Sequence, residues 1–260
     1  CVCGNLVDVP NKTVERDTAE AATSTQTDRV KRINSLLKDQ RGVPIYAGLL
    51  WGPDDNSVVL REPQEVARRV FVLWAVSIRG EGVSKAELWN DFLDREMVWP
   101  YASPEERCFI NEPRPDPDEA QSLVWRLESM WVLVWALGHL DKLPWPDAMC
   151  DVPQLLEIVA PARDDPSFVQ QAQLRPVREI LDELEMTTRL HWAMRDAYLN
   201  QRQIPANLDW KNPSEWIAPA PNMVGRLIEE RHYALNWLIR FGDADWDDVE
   251  YPPTPDDGEL

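Results

Sequence analysis

The sequence predicts a mostly α-helical fold: a single multi-helix domain around a buried, Trp-rich central helix, with little or no β-structure. Three observations carry that expectation. The stretch Trp125–Leu140, WRLESMWVLVWALGHL, holds three of the thirteen tryptophans and is apolar round nearly its whole circumference. A helix hydrophobic on all sides belongs in an interior, and this one is too short and too charged at its start for a bilayer, which needs about 20 apolar residues. Ten glycines against twenty-two prolines favour helices with proline-set starts over glycine-rich strand turns. Finally, three helix-start signatures follow one another between Ser84 and Glu119.

In chain order, residues 1–28 read as a flexible leader or linker, polar and without periodicity. A first helix begins near Asp28, carries Val30, Ile33 and Leu37 at helical spacing, and stops at Gly42. Residues 43–62 read as irregular or briefly extended. Pro63 opens a second helix whose stripe is Val66, Val70, Leu73, Trp74 and Ser77. Ser84 with Glu87 forms a capping box before Leu88 and Phe92. Ser103-Pro104-Glu105-Glu106 opens a short helix through Ile110. Asp116-Pro117-Asp118-Glu119 opens the long central helix, with acids placed against its dipole.

After a turn at Leu143-Pro144-Trp145-Pro146, Asp151 caps a short helix bearing Leu155, Leu156 and Val159. Another short helix is expected near Phe168. Pro176 begins a long helix to about Asn200, with Ile180, Leu184, Thr187, His191, Met194 and Tyr198 as its stripe. Residues 201–221 read as a loop, and a last helix runs from about Asn222 to Phe241 with Val224, Ile228, Arg231, Leu235 and Leu238. The expected organisation is thus a leader over 1–28, a helical domain over 29–242 and an acidic C-terminal tail over 243–260, in which Trp246 and Tyr251 are the side chains suited to docking.

The formal net charge is −18, unevenly spread: −3 in residues 1–28, −8 in residues 243–260, and −7 across the expected domain. That balance disfavours nucleic acid, whose affinity comes from Lys/Arg neutralisation of phosphates, and anionic membrane surfaces. It suits a more basic protein partner. No transmembrane segment is expected, and no cofactor, because no phosphate-binding, dinucleotide-binding or hydrolase signature is present. Cys1, Cys3, Cys108 and Cys150 lack paired zinc spacing and read as free thiols in a cytoplasmic setting. A start at Cys1 ahead of a Thr/Ser/Ala-rich spacer is also the pattern of a lipid-anchored periplasmic protein whose signal peptide has been removed.

The polar residues that interrupt the apolar stripes form the candidate site. His191 and Arg195 share a helix face at i, i+4, with Asp196 beside them. Glu230, Arg231 and His232 are consecutive on the last helix, with Asn236 one turn on. Arg126 and Glu128 break the apolar surface of the central helix. A charge on an apolar stripe most often pairs with a buried countercharge, which makes Glu128 the expected partner of Arg231. The functional reading is a pocket of Arg126, Glu128, His191, Arg195, Asp196, Glu230, Arg231, His232 and Asn236, with histidine for proton transfer and arginine as an anion clamp. Glu229-x-x-His232 has di-iron spacing, but Thr188 stands where a second such pair would need its acid, so no metal site is expected.

WRLESMWVLVWALGHLDKLPWPDAMCDV, REILDELEMTTRLHWAMRDAYLN and ERHYALNWLIRFGDADWDDV together resemble the bacterial domain-of-unknown-function family 4272, over roughly residues 29–250. The resemblance implies a mostly helical domain and brings no activity, substrate or cofactor. Its polar positions include the nine residues above together with Asn200, Asp247 and Asp248. The function expected is a non-catalytic binding protein, of which an immunity or inhibitor protein acting on a basic partner is one form. The alternative is a small-ligand-binding or hydrolytic enzyme using the His/Arg/Asp pocket.

Overall fold

The computed structural model describes residues 24–46, 48–49, 52–219 and 222–252. Most of the expected leader, with Cys1 and Cys3, and the last eight residues of the expected tail lie outside the described residues. The chain is mostly helical, as expected. Its helices are α1 (Ser24–Ser35), α2 (Pro63–Gly80), α3 (Lys85–Glu87), α4 (Arg95–Val98), α5 (Pro104–Asn111), α6 (Pro117–Val124), α7 (Arg126–Ala136), α8 (Val152–Ala162), α9 (Ser167–Gln170), α10 (Val177–Leu199) and α11 (Met223–Leu238). Among the described residues no helix is long and apolar enough to cross a membrane.

Local chemistry sets most boundaries. Ser84/Glu87 and Ser103/Glu106 form complete capping boxes. Asp116 accepts from Asp118 N and Glu119 N, Asp151 from Gln154 N, and Asn222 from Gly225 N. In each case a side-chain oxygen satisfies N–H groups that the first helical turn leaves without partners. Leu36–Arg41 continues α1 as a π-helical turn, ended by Gly42 at φ 66°, where a left-handed residue frees the chain to leave the helix.

The long central helix expected from Asp116 to Leu140 is two helices instead. α6 ends at Val124 and α7 starts at Arg126. α7 stops at Ala136, because Gly138 takes φ 81° and His139 N donates back to Val134 O, the six-to-one bond of a Schellman ending. Every residue from Leu127 to Ala136 is buried.

Packing runs as a series: α2 lies on α6 and α7, α7 on α11, α11 on α10, and α10 on α1. α2 passes close to α6 at Gly80, where a Cβ would meet Ala120 O at 2.7 Å. The larger core gathers α2, α7, α8 and parts of α10 and α11, and a smaller one joins Ile33 and Leu37 of the first helical segment to Leu190, Met194, Val224 and Ile228. Ile204–Pro205 and Trp216–Ile217 pair antiparallel as β1 and β2 within the stretch expected to be a loop. Beyond α11, Trp246 is buried against Tyr233 and Trp237, and Tyr233 Oη donates to its carbonyl.

Candidate functional site

α7, α10 and α11 carry all nine residues of the expected pocket, and the structure distributes them over several separate arrangements. The first is a buried ion pair. Arg231 Nε lies 3.2 Å from Glu128 Oε2, both side chains being almost wholly excluded from solvent. Arg231 Nη1 donates to Pro144 O at 2.7 Å, and Glu128 Oε1 accepts from Cys150 N. The pairing expected of these two residues is therefore present, and it ties α7 and α11 to the turn before α8. Burial and the nearby Glu128 carboxylate raise the Cys150 thiol above its usual range, which leaves it a poor nucleophile. Burial also pushes the Glu183 carboxyl up to about 7, against the pull of Arg231.

The second arrangement faces the other side of α7. Arg126 Nη1 is 3.0 Å from Glu230 Oε2, and Ser129 Oγ donates to the same oxygen at 2.7 Å. The Arg126 guanidinium stacks 4.5 Å over Tyr233 and 5.6 Å over Trp246. These groups bind one another and the aromatic lid above them.

The third arrangement joins the histidines. His191 Nδ1 and His232 Nδ1 are 2.8 Å apart, and His232 Nε2 is 3.2 Å from Thr188 Oγ1. Tyr251 covers both rings, with centroids 4.7 and 5.0 Å away, and donates its hydroxyl to Glu229 O. His191 also lines a cavity of about 360 Å³ with Arg195, Tyr198 and Glu229. Asp196 lies outside this cavity, half-buried and bound to Arg202 and Asn200, because residue 196 falls about 100° round the helix from 195. Asn236 gives its Nδ2 to Glu250 O at 2.9 Å and lines a different cleft, of about 620 Å³.

Both imidazoles are held neutral at pH 7. Burial pushes His191 down to about 4, with the Arg195 charge acting in the same direction. Burial, with His191 adding to it, holds His232 well below the ordinary histidine value of 6.5. Between pH 6.5 and about 4 the unfolded chain therefore binds protons at these rings that the folded chain does not. Their contribution to stability is complete above the unfolded value and falls as the pH drops through that window. Urea unfolding should accordingly show wild type losing more stability between pH 7 and pH 5 than His191→Asn does. Equal losses in the two proteins would mean that the rings are not held neutral by the fold.

Two groups outside the expected pocket proved to be part of the local framework. Glu185 Oε2 accepts from Arg29 Nε at 3.4 Å and from Gly52 N at 3.3 Å, while its Oε1 pairs with Arg189. Its i, i+4 spacing from Arg189 was a usable signal; nothing local points to Arg29. Thr188 is the other, a residue considered in the sequence only for the acid it replaces. Among the described residues no three His, Cys, Asp or Glu side chains converge to hold a metal ion.

The chain matches a protein family described as a domain of unknown function (DUF4272), over residues 29–249. No curated protein and no solved structure matches it.

Proposed function

The chain belongs to the DUF4272 family, and from that starting point we propose that it is a non-catalytic binding protein whose partner is a more basic protein. An inhibitor or immunity role toward such a partner is the concrete form of this reading. The observation that carries it is a groove of about 530 Å³ between α2, α5 and the segment after α11, with Glu65, Glu105, Asp245, Asp247 and Asp248 in its lining. Its two arginines are committed internally. Arg61 donates to Trp237 O and Glu65, and Arg69 pairs with Glu106 and stacks over Trp246. Glu105, Asp245 and Asp248 are exposed, and among the described residues none of them is in an ion pair. The groove thus presents uncompensated negative charge, which suits lysine or arginine side chains by charge.

The reading is tested by affinity purification with the wild-type chain and with the triple variant Glu105→Gln/Asp245→Asn/Asp248→Asn. A basic protein retained by wild type should be lost with the variant, and lost from wild type at about 0.5 M salt, where screening extends over only a few ångström. Repeated recovery of no partner, or a partner held equally by both proteins, would overturn it.

A further inference from the structure

The histidine pair lies between two cavities, and each end of its hydrogen-bond chain lines one of them. At one end Thr188 lines the 620 Å³ cleft, together with Leu184, Val58, Ile239, Phe241 and Asn236. At the other end His191 lines the 360 Å³ cavity beside Arg195 and Glu229. Cleft volumes in this range accept small organic molecules, held mainly by apolar walls and oriented by a few polar groups. Among the polar groups of this lining, Asn236 and Thr188 lie next to the histidine pair. Asn236 is 1% exposed; its Nδ2 is fixed on Glu250 O, and its Oδ1 accepts no hydrogen bond among the described residues. His232 lies one helical turn before Asn236 on α11, so the two share a face, and Thr188 is bonded to His232.

We propose that this cleft is a binding site for a small aliphatic alcohol, and that its occupancy sets the tautomer of His191 in the neighbouring cavity. The hydroxyl of such a ligand donates to Asn236 Oδ1 and accepts from Thr188 Oγ–H. Thr188 has one proton. When it goes to the ligand, Thr188 can only accept from His232, so His232 carries its proton on Nε2. His232 Nδ1 is then bare and must accept across the 2.8 Å contact, which places the His191 proton on Nδ1 and leaves His191 Nε2 an acceptor. With no ligand, Thr188 can donate to His232 Nε2. The shared proton then sits on His232 Nδ1, and His191 Nε2 becomes a donor. Each ring stays neutral, and the change is a balanced relay: Thr188 passes its proton to His232 Nε2 and takes another from solvent in the cleft, the His232 Nδ1 proton crosses to His191 Nδ1, and the His191 Nε2 proton leaves to solvent in the neighbouring cavity. The backbone at the cleft mouth has the left-handed geometry that collects at ligand sites: Arg240, Gly242 and Asp243 have φ of 55°, 65° and 52°.

This site is independent of the acidic groove, and it is tested on the full chain with two probes of matched size, 1-octanol and heptyl methyl ether. The ether keeps the apolar body and an acceptor oxygen but has no hydroxyl proton, so it leaves Asn236 Oδ1 unpartnered. Saturable one-to-one binding of 1-octanol is expected, with methyl signals of Ile239 and Leu184 moving, and affinity for the ether lower by roughly ten-fold, the usual scale for a buried polar group left unpaired. Nitrogen-15 spectra of the labelled histidines should show the His191 proton moving from Nε2 to Nδ1 on octanol binding. Thr188→Val should abolish that movement and weaken octanol, while Thr188→Ser keeps both. Equal affinity for alcohol and ether would overturn the proposal. So would octanol binding that leaves the His191 tautomer unchanged, or octanol perturbing only residues outside the cleft.

Discussion

Replacing Arg231 by leucine is expected to destabilise the chain by roughly 3–5 kcal/mol, because it leaves Glu128 charged in an interior that excludes water. Two smaller losses accompany it: Pro144 O loses its donor, and the Glu128 carboxylate is left with Cys150 N as its remaining close partner. The double variant Glu128→Leu/Arg231→Leu should regain a large part of the loss, since removing both charges also removes the cost of desolvating them. Its shortfall against wild type measures what Cys150 N and Pro144 O lose, on the order of 1–3 kcal/mol each. Urea unfolding midpoints at unchanged slope report all three proteins. A single variant within about 1 kcal/mol of wild type would mean that Glu128 finds a proton or water in place of the arginine.

Glu185→Leu is the second large effect, and its signature is spatial as well as energetic. The substitution strips the carboxylate from two buried arginines, Arg29 and Arg189, and from Gly52 N. A loss of about 3–5 kcal/mol is again the scale for unpaired buried charge, a large share of the 5–15 kcal/mol typical of a whole domain. Arg189 retains Asn34 and Arg29 retains Asp55, so the loss should stay local at first. Gly52 and Pro53, which line the large cleft, should detach before the α7–α11 core. Hydrogen exchange then shows lost protection around residues 52–58 while amides of α7 stay protected. Uniform loss across the chain would place Glu185 inside the global unfolding unit.

What could be read from the sequence follows how far apart the interacting groups lie. Helix starts were legible because a cap and the N–H donors it satisfies are neighbours: Ser103 and Glu106 define a helix wherever the rest of the chain goes. The Arg231–Glu128 pair was legible for a different reason, since two opposite charges on apolar stripes have few alternatives to each other. The clamp at Glu185 was not, because Arg29 is 156 residues away and no local pattern encodes that distance. The expected pocket grouped residues by helix and by turn. How its members meet depends on the rotation of α10 against α11, which brings His191 and His232 ring to ring yet leaves Asp196 turned to Arg202 and Asn200. Thr188 entered the sequence reading only as the place of a missing acid, because a single hydroxyl on a helix carries no periodic signal that would mark it as a partner of His232. The pairing of β1 with β2 and the π-helical turn at Leu36–Arg41 likewise arise from tertiary packing that overrides local preference.

Arg61 closes the core against the far end of the chain: its Nη2 donates to the carbonyl of Ala244, 183 residues later, and Trp246 beside it fills the space over Arg69. During synthesis at about 5–20 residues per second, α2 therefore leaves the ribosome roughly 10–40 s before the segment that seals it. For that interval the apolar surface of α2 has only its earlier neighbours for cover. Within that time α6 and α7 cover most of that surface, but a chain stopped before residue 244 leaves Arg61 without the Ala244 carbonyl and Arg69 without the Trp246 ring.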